Sequence, residues 1–243
     1  IIGNRENITR FNAKTLKKFF QRFYQPERIV ISASGNLSHD AFVNLIRKTF
    51  ESIHPSNSFP ERITPTGRFN IHLHHRKLEQ VHVCIGTKGL AIVDPKRYVF
   101  SLLNTILGGN MSSRLFQEIR ERRGLAYSIY SFISSHVDTG MFGVYIAVDP
   151  KTSLKSTELI LREMRKLKEM RVDPTDLNNA KEYTKGGLLL AAESVDNHMV
   201  RLAQNEIHFG RQIPLKSVID EIETVTGDEI IDLARYLYQS EQL

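Results

Sequence analysis

The sequence predicts an α+β fold in which helices cover a mainly antiparallel sheet. Three observations lead to this class. A helix-strand-helix pattern precedes a segment rich in Pro, Ser and Thr, alternating strand patterns follow that segment, and the remainder of the chain is helical. With 243 residues, 41% of them hydrophobic, the chain is long enough for one large or two modest cores.

The amino-terminal elements are justified by capping residues and apolar spacing. Asn12 can cap a helix over residues 13–24, which has four apolar residues at helical spacing and ends before a proline. The β-branched run at residues 28–34 predicts a strand, and Ser38 can cap a second helix. Residues 54–67 then lose all apolar periodicity, which predicts a linker.

Beyond the linker, strand patterns come first and helices dominate afterwards. The predicted elements are strands at 69–74 and 80–86, a helix from 94 to 107, a short helix at 113–122, strands at 126–134 and 139–148, and helices at 152–170, 174–192, 196–209, 215–222 and 227–238.

An internal similarity links the two ends of the chain. Residues 11–29 align with residues 225–243 at a constant offset of 214, and both are amphipathic helices that close in an aromatic-Gln-X-Glu turn. This predicts a duplicated domain: residues 1–53 are the tail of one copy, 54–67 the linker, and 68–243 most of the next copy without its last strand. A chance similarity of two amphipathic helices is the alternative.

Composition excludes several classes of protein. The 33 basic and 27 acidic residues give a net charge of +6, but the basic residues are spread along helical faces without a nucleic-acid motif. We therefore expect no nucleic-acid partner. No run approaches the roughly 20 apolar residues of a membrane span, and residues 1–10 lack the pattern of a signal peptide. The compartment stays open.

The residues of this chain predict neither a metal site nor a nucleophile. None of the nine histidines begins an H-x-x-E-H or H-E-x-x-H motif. His72, His74, His75 and His82 cluster on two predicted strands, but no nearby Asp or Cys completes a ligand set, so solvent-facing strand positions are the favoured interpretation. Cys84, the only cysteine, lies in an apolar strand without basic neighbours that would activate it.

The most informative segment spans residues 107–128 and reads LGGNMSSRLFQEIRERRGLAYS. It resembles the most distinctive segment of the second domain of the pitrilysin/insulinase family, the inverted-zincin group of zinc metallopeptidases. In that family an arginine near the end of this helix, and a tyrosine seven residues later, face the zinc across a chamber. These positions match Arg120 and Tyr127. The resemblance implies that both are catalytic residues, which hold the substrate backbone and help to polarise the scissile carbonyl.

The resemblance covers nearly the whole chain and implies where the metal is held. Residues 2–8 and 30–37 resemble the end of the family's zinc-binding first domain, and residues 181–201 resemble long helices of its second domain. The H-x-x-E-H motif and the third-ligand glutamate lie, in the family, before the position that matches Ile1. We therefore expect no cofactor in this chain, and zinc in the complete parent or its partner.

Two functions follow from the resemblance as hypotheses. In the first, the chain is the substrate-orienting part of a zinc endopeptidase that acts on peptides or unfolded proteins, and it is inactive without the missing first-domain half or a homologous subunit. In the second, it is a non-catalytic family member that binds peptide or builds an assembly. An unpaired sheet edge would also favour self-association.

Overall fold

A computed structural model describes residues 3–53 and 61–239, which combine helices with one antiparallel sheet. This architecture confirms the predicted α+β class. The elements are α1 (Arg5–Arg10), α2 (Ala13–Phe23), a 3-10 turn (Pro26–Arg28), α3 (His39–Phe50), β1 (Val81–Gly89), α4 (Arg97–Leu107), a π-helix (Phe116–Glu121), β2 (Ala126–Ser135), β3 (Gly140–Val148), a 3-10 turn (Pro150–Thr152), α5 (Ser153–Glu169), α6 (Pro174–Ala192), α7 (Val195–Phe209), α8 (Leu215–Thr224) and α9 (Gly227–Leu237).

The sheet has the strand order β1-β3-β2, with both pairs antiparallel. Alternation along the central strand turns Val144 and Ile146 towards the helices and Tyr145 to the opposite side. We call that opposite side the open face. Its positions follow from the register and are His82, Cys84, Gly86 and Lys88 on β1, Met141, Gly143, Tyr145 and Ala147 on β3, and Ser128, Tyr130, Phe132 and Ser134 on β2.

The hydrophobic core lies between the other face of the sheet and helices α4, α5 and α9. Its fully buried side chains include Phe100, Leu103, Leu107, Phe142, Val144, Ile146, Ile160, Leu167 and Leu237. Helix α4 ends against β2, where the Ser131 amide donates a 3.0 Å hydrogen bond to the Gly108 carbonyl. A Cβ at Gly108 would stand 2.5 Å from the Ser131 nitrogen, so this close approach requires glycine.

Two predicted strands do not form. Residues 28–34 begin in a 3-10 turn and continue without sheet pairing, and residues 69–74 also lie outside the sheet. Ile71 and Leu73 are 72% and 94% exposed. Alternating apolar residues favour an extended chain, but a strand also needs a neighbour for its backbone groups. The described residues provide no such neighbour for either segment.

The two similar helices have matching amino-terminal caps and different environments. Helix α2 begins with a capping box between Asn12 and Thr15, and α9 begins with one between Thr226 and Glu229. Helix α9 is packed in the core, whereas no residue of α2 is buried. The duplication and the division into residues 1–53, 54–67 and 68–243 stay predictions. Residues 54–60 of the predicted linker and the end of the second aromatic-Gln turn lie outside the described residues.

Candidate functional site

The segment that carries Arg120 is a π-helix, not the regular helix that the sequence predicts for residues 113–122. The Arg122 amide donates to the Gln117 carbonyl at 3.0 Å, the i to i−5 bond that defines the wider turn. Leu115 and Ile119 are fully buried and fix the segment on the core. Widened turns of this kind are frequent at functional sites, because they change the direction of the side chains that follow.

A left-handed glycine ends the π-helix. Gly124 has φ +60°, and its amide donates to the Arg120 carbonyl at 3.0 Å, while the Leu125 amide donates to the Ile119 carbonyl at 3.0 Å. An L side chain would be strained at this φ. The turn therefore needs glycine to bring the chain back towards β2 immediately after Arg120.

Tyr127 lies at an irregularity of β2. Ala126 pairs with Val148 and Ser128 pairs with Ala147, so Tyr127 is the extra residue of a bulge. Its side chain is 81% exposed. A bulge redirects the side chain that it inserts, and here the ring of Tyr127 reaches the end of the π-helix.

The structure brings the two predicted site residues into contact. The guanidinium carbon of Arg120 lies 4.7 Å from the centroid of the Tyr127 ring and 4.6 Å from that of Phe116. Both distances are within the range of cation–π attraction. The closest carboxylate to Arg120 is that of Glu121, at 3.6 Å. Phe116 was not predicted as a site residue, although its position four residues before Arg120 was a usable signal.

Glu118 connects the π-helix to helix α5. Its carboxylate accepts hydrogen bonds from Arg123 at 2.8 Å, from Arg162 of α5 at 3.1 Å and from Arg122 at 3.4 Å. The Arg123 hydrogen bond is the main reason why the pKa of Glu118 lies below its ordinary value. The side chain is only 14% exposed. The contribution of Arg162 to this cluster was not predictable from local sequence, because Arg162 is 44 positions from Glu118.

The histidines of the strand region do not assemble a metal site. His72 contacts Asn70 at 3.1 Å, and His82 Nδ1 contacts the Tyr145 hydroxyl at 2.7 Å. Within residues 3–53 and 61–239, no group of three or more His, Cys, Asp or Glu side chains could hold a metal ion. In the same part of the chain, no helix has the length and apolar character needed to cross a membrane.

Comparison with known proteins identifies the family. The family described as "Peptidase M16 inactive domain" matches residues 10–183, well over half of the chain. The chain belongs to the peptidase M16 family. This confirms the resemblance to the pitrilysin/insulinase zinc metallopeptidases, and the region that matches contains both Arg120 and Tyr127.

One curated relative agrees with this assignment, and two solved structures share the fold. The chain is similar to the "Uncharacterized zinc protease YmxG" of Bacillus subtilis, with 36% identity over 244 residues. The aligned region includes 98% of this chain but only 58% of that relative. Its fold is similar to that of a protease from Helicobacter pylori, with a TM-score of 0.84 and 20% identity over 99% of this chain and 59% of the other. A chain of complex III2 from Candida albicans has a TM-score of 0.79 and 16% identity, with coverage of 99% and 60%.

Proposed function

We propose that this chain is the substrate-orienting part of a zinc-dependent endopeptidase that acts on peptides or small proteins. The contact between Arg120 and Tyr127, with the tyrosine ring exposed to solvent, carries this proposal. The names of the relatives, which are zinc proteases, support the peptidase class. The described residues lack a metal site, so we assign the zinc to the part of the protein that this chain does not cover.

The chemistry of the pair fits this role. Zinc would supply a polarised carbonyl and an activated water, as it does in other metallopeptidases. Attack on a peptide carbonyl places negative charge on its oxygen, and N–H and O–H donors lower the energy of that state. Arg120 and Tyr127 offer such donors side by side. One well-placed donor contributes about 3 to 4 kcal/mol to the transition state.

The proposal requires a second structural unit that holds the metal. Helix α2 supports such a partner, because Leu16, Phe19 and Phe20 are each more than half exposed on one amphipathic helix. A helix with an uncovered apolar side is normally packed against another element. We propose that the missing first-domain half or a homologous subunit covers this apolar side of α2.

The decisive experiment is steady-state hydrolysis of a fluorogenic peptide by the longer protein that contains this chain. Arg120→Ala and Tyr127→Phe should each lower kcat by at least about tenfold, because they remove donors to the transition state. Bound zinc should not change. Arg211→Ala and Tyr236→Phe are matched controls on exposed side chains and should keep normal turnover. Unchanged turnover in both site variants would contradict the proposed roles.

A second candidate is a non-catalytic member of the family that binds peptide or serves as a structural partner subunit. The match to the family's inactive domain favours it, as does the similar fold of a chain of complex III2 from Candida albicans. The same preparation separates the two functions. A longer protein that holds zinc and binds the peptide without cleaving it would support the second candidate, whereas cleavage that depends on Arg120 supports the first.

A further inference from the structure

A row of aromatic side chains crosses the open face of the sheet. The ring centroids of Tyr130 and Tyr145 are 5.1 Å apart, and those of His82 and Tyr145 are 6.0 Å apart. Phe132 continues the row at 6.1 Å from Tyr130. These side chains come from all three strands: His82 is on β1, Tyr145 on β3, and Tyr130 and Phe132 on β2. The register places Cys84, Tyr145 and Tyr130 side by side.

The row is held in place by its neighbours. The Tyr145 hydroxyl is 2.7 Å from His82 Nδ1, so its polar group already has a partner. The ring of Phe132 lies over Gly143, where a Cβ would collide with it. Gly86 is paired with Gly143 and remains exposed, and it has no side chain that could cover the rings. The rings form a surface that is available without rearrangement.

The charges on this surface favour an apolar ligand. The twelve positions of the open face include one lysine and one histidine and no acidic residue. A basic side chain would therefore find no counter-ion among these positions. Tyr130 is 44% exposed, and an apolar side chain stacked on it would remove aromatic surface from water.

The row lies on the same strand as Tyr127. Tyr130 follows Tyr127 by three residues, which corresponds to about 10 Å along a strand. An extended peptide that lies along β2 advances by the same distance per residue. If Arg120 and Tyr127 hold one peptide group of such a ligand, the ligand side chain about three residues away would lie over the aromatic row.

We propose that Tyr130, Tyr145 and His82 form a subsite that selects peptides with an aromatic or large aliphatic side chain about three residues from the bond oriented by Arg120 and Tyr127. The assignment of substrate class rests on the proposed function. The rings themselves are specificity-determining residues, because they contact a side chain of the substrate and not the reacting atoms.

Cys84 provides a natural reporter for this subsite. It is exposed, it is the only cysteine, and it pairs with Tyr145 in the register. The rate of its reaction with a thiol reagent would be measured on the whole chain against increasing concentrations of ten-residue peptides that differ only in one central residue, Phe, Leu or Ala. The Phe and Leu peptides should protect Cys84 at concentrations at least about tenfold below the Ala peptide, the effect of burying one large side chain.

Variants test whether the rings cause the preference. Tyr130→Ala should abolish the difference between the Phe and Ala peptides, and Tyr130→Phe should keep it. Tyr236→Ala on α9 controls for the loss of an exposed tyrosine elsewhere. Circular dichroism identifies a variant that fails to fold. If Tyr130→Ala does not fold, Tyr130→Leu, which keeps an apolar side chain but removes the ring, should still weaken the preference for Phe.

The outcomes separate the subsite from the proposed catalytic role. Equal protection by the Phe and Ala peptides, no protection by any peptide, or an unchanged preference in Tyr130→Ala would each overturn the subsite. Those results would leave the Arg120 and Tyr127 turnover measurements untouched. Conversely, normal turnover in the Arg120 and Tyr127 variants with an intact aromatic preference would overturn the catalytic role and keep the subsite.

Discussion

The guanidinium of Arg120 and the ring of Tyr127 contact each other at 4.7 Å, although one residue lies in a π-helix and the other is the extra residue of a strand bulge. The π-helix and the strand bulge thus bring these two side chains together. Gly124 lies between them and makes the change of direction possible. The pair is assembled within one chain, so its donors need little reorganisation when a partner or peptide binds.

The first prediction concerns the stability of this pair. Arg120→Ala and Tyr127→Phe should each change the free energy of unfolding of this chain by less than about 1 kcal/mol, the range for exposed substitutions. Tyr127 is largely exposed, and Arg120 has only a distant ion pair and two ring contacts. Urea unfolding measures the effect. A loss above about 2 kcal/mol would identify the pair as structural.

The second prediction concerns Glu118. Its pKa is lowered in the folded chain, so it contributes stability that is present above its unfolded pKa and is lost as the pH falls through the folded value. Glu118→Gln should cost about 1.5 to 3 kcal/mol at neutral pH, the range for hydrogen bonds to charged groups. It should also reduce the dependence of the unfolding midpoint on pH below about 4.5.

Glu121→Gln is the matched control for Glu118, because its half-exposed carboxylate has only the 3.6 Å contact with Arg120. Its unfolding midpoint should change little. Equal effects of the two substitutions would show that the arginine cluster does not hold the π-helix in place.

The third prediction concerns Tyr238, which is fully buried with no hydrogen-bond partner for its hydroxyl among the described residues. Tyr238→Phe should leave the chain equally stable or more stable by about 1 kcal/mol, because an unsatisfied polar group is removed. Burial raises the pKa of Tyr238 well above its ordinary value. The unfolded chain therefore ionises first, and wild-type stability should fall above about pH 10 more steeply than that of the variant.

Guanidinium unfolding at pH 7 and above pH 10 measures both effects of Tyr238→Phe. Tyr238→Leu is the matched control, because the smaller side chain leaves a cavity and should destabilise the chain. A marked loss of stability in Tyr238→Phe would reveal a hydroxyl partner and contradict the prediction.

Local signals were sufficient for the longer helices and for the three paired strands, whereas the short helix α1 was not predicted and the helix predicted at 113–122 is a π-helix. Asn12 and Ser38 cap the helices that they were predicted to cap. Thr226 caps α9, which follows it directly. Such caps depend on neighbours in sequence. The segments 28–34 and 69–74 have equally clear strand patterns, but pairing is a tertiary property and they remain unpaired. The sequence pattern alone could not distinguish these cases.

The candidate site was predictable only in part. The motif identified Arg120 and Tyr127, but the sequence analysis predicted neither the π-helix, which packs against β2, nor the bulge. The arginine cluster on Glu118 depends on α5, and the aromatic row depends on the register of three strands. Both are consequences of long-range contacts.

The fourth prediction concerns metal content. The purified chain should contain no stoichiometric zinc and should not hydrolyse peptides, because its described residues offer no set of three ligands. The His72 ring is hydrogen-bonded to Asn70, and the His82 ring is hydrogen-bonded to Tyr145. Inductively coupled plasma mass spectrometry after dialysis measures the metal. Tight binding of one zinc per chain that is lost in His72→Ala with His74→Ala would contradict this and restore the histidine cluster as a site.

The last prediction concerns the free edge of the sheet. Among the described residues, β1 pairs only with β3, so half of the backbone groups between Val81 and Gly89 lack a strand partner. A cavity of about 640 Å³ lies beside this edge, lined by residues 69–73 and by Val81–Gly86. Unpaired edges with adjacent apolar surface accept strands from other molecules. We expect the chain to self-associate, with a mass by light scattering that rises with protein concentration.

Proline substitutions can locate the contact on β1. Along an edge strand, successive residues direct their N–H groups alternately to the neighbouring strand and to the free side. One of the two variants His82→Pro and Val83→Pro therefore removes an N–H donor from the free edge. That variant should weaken association and keep the fold. The other removes a donor to β3 and should destabilise the sheet, which makes it the matched control. A constant monomeric mass at every concentration, or association that survives in both variants, would show that β1 is not the contact surface.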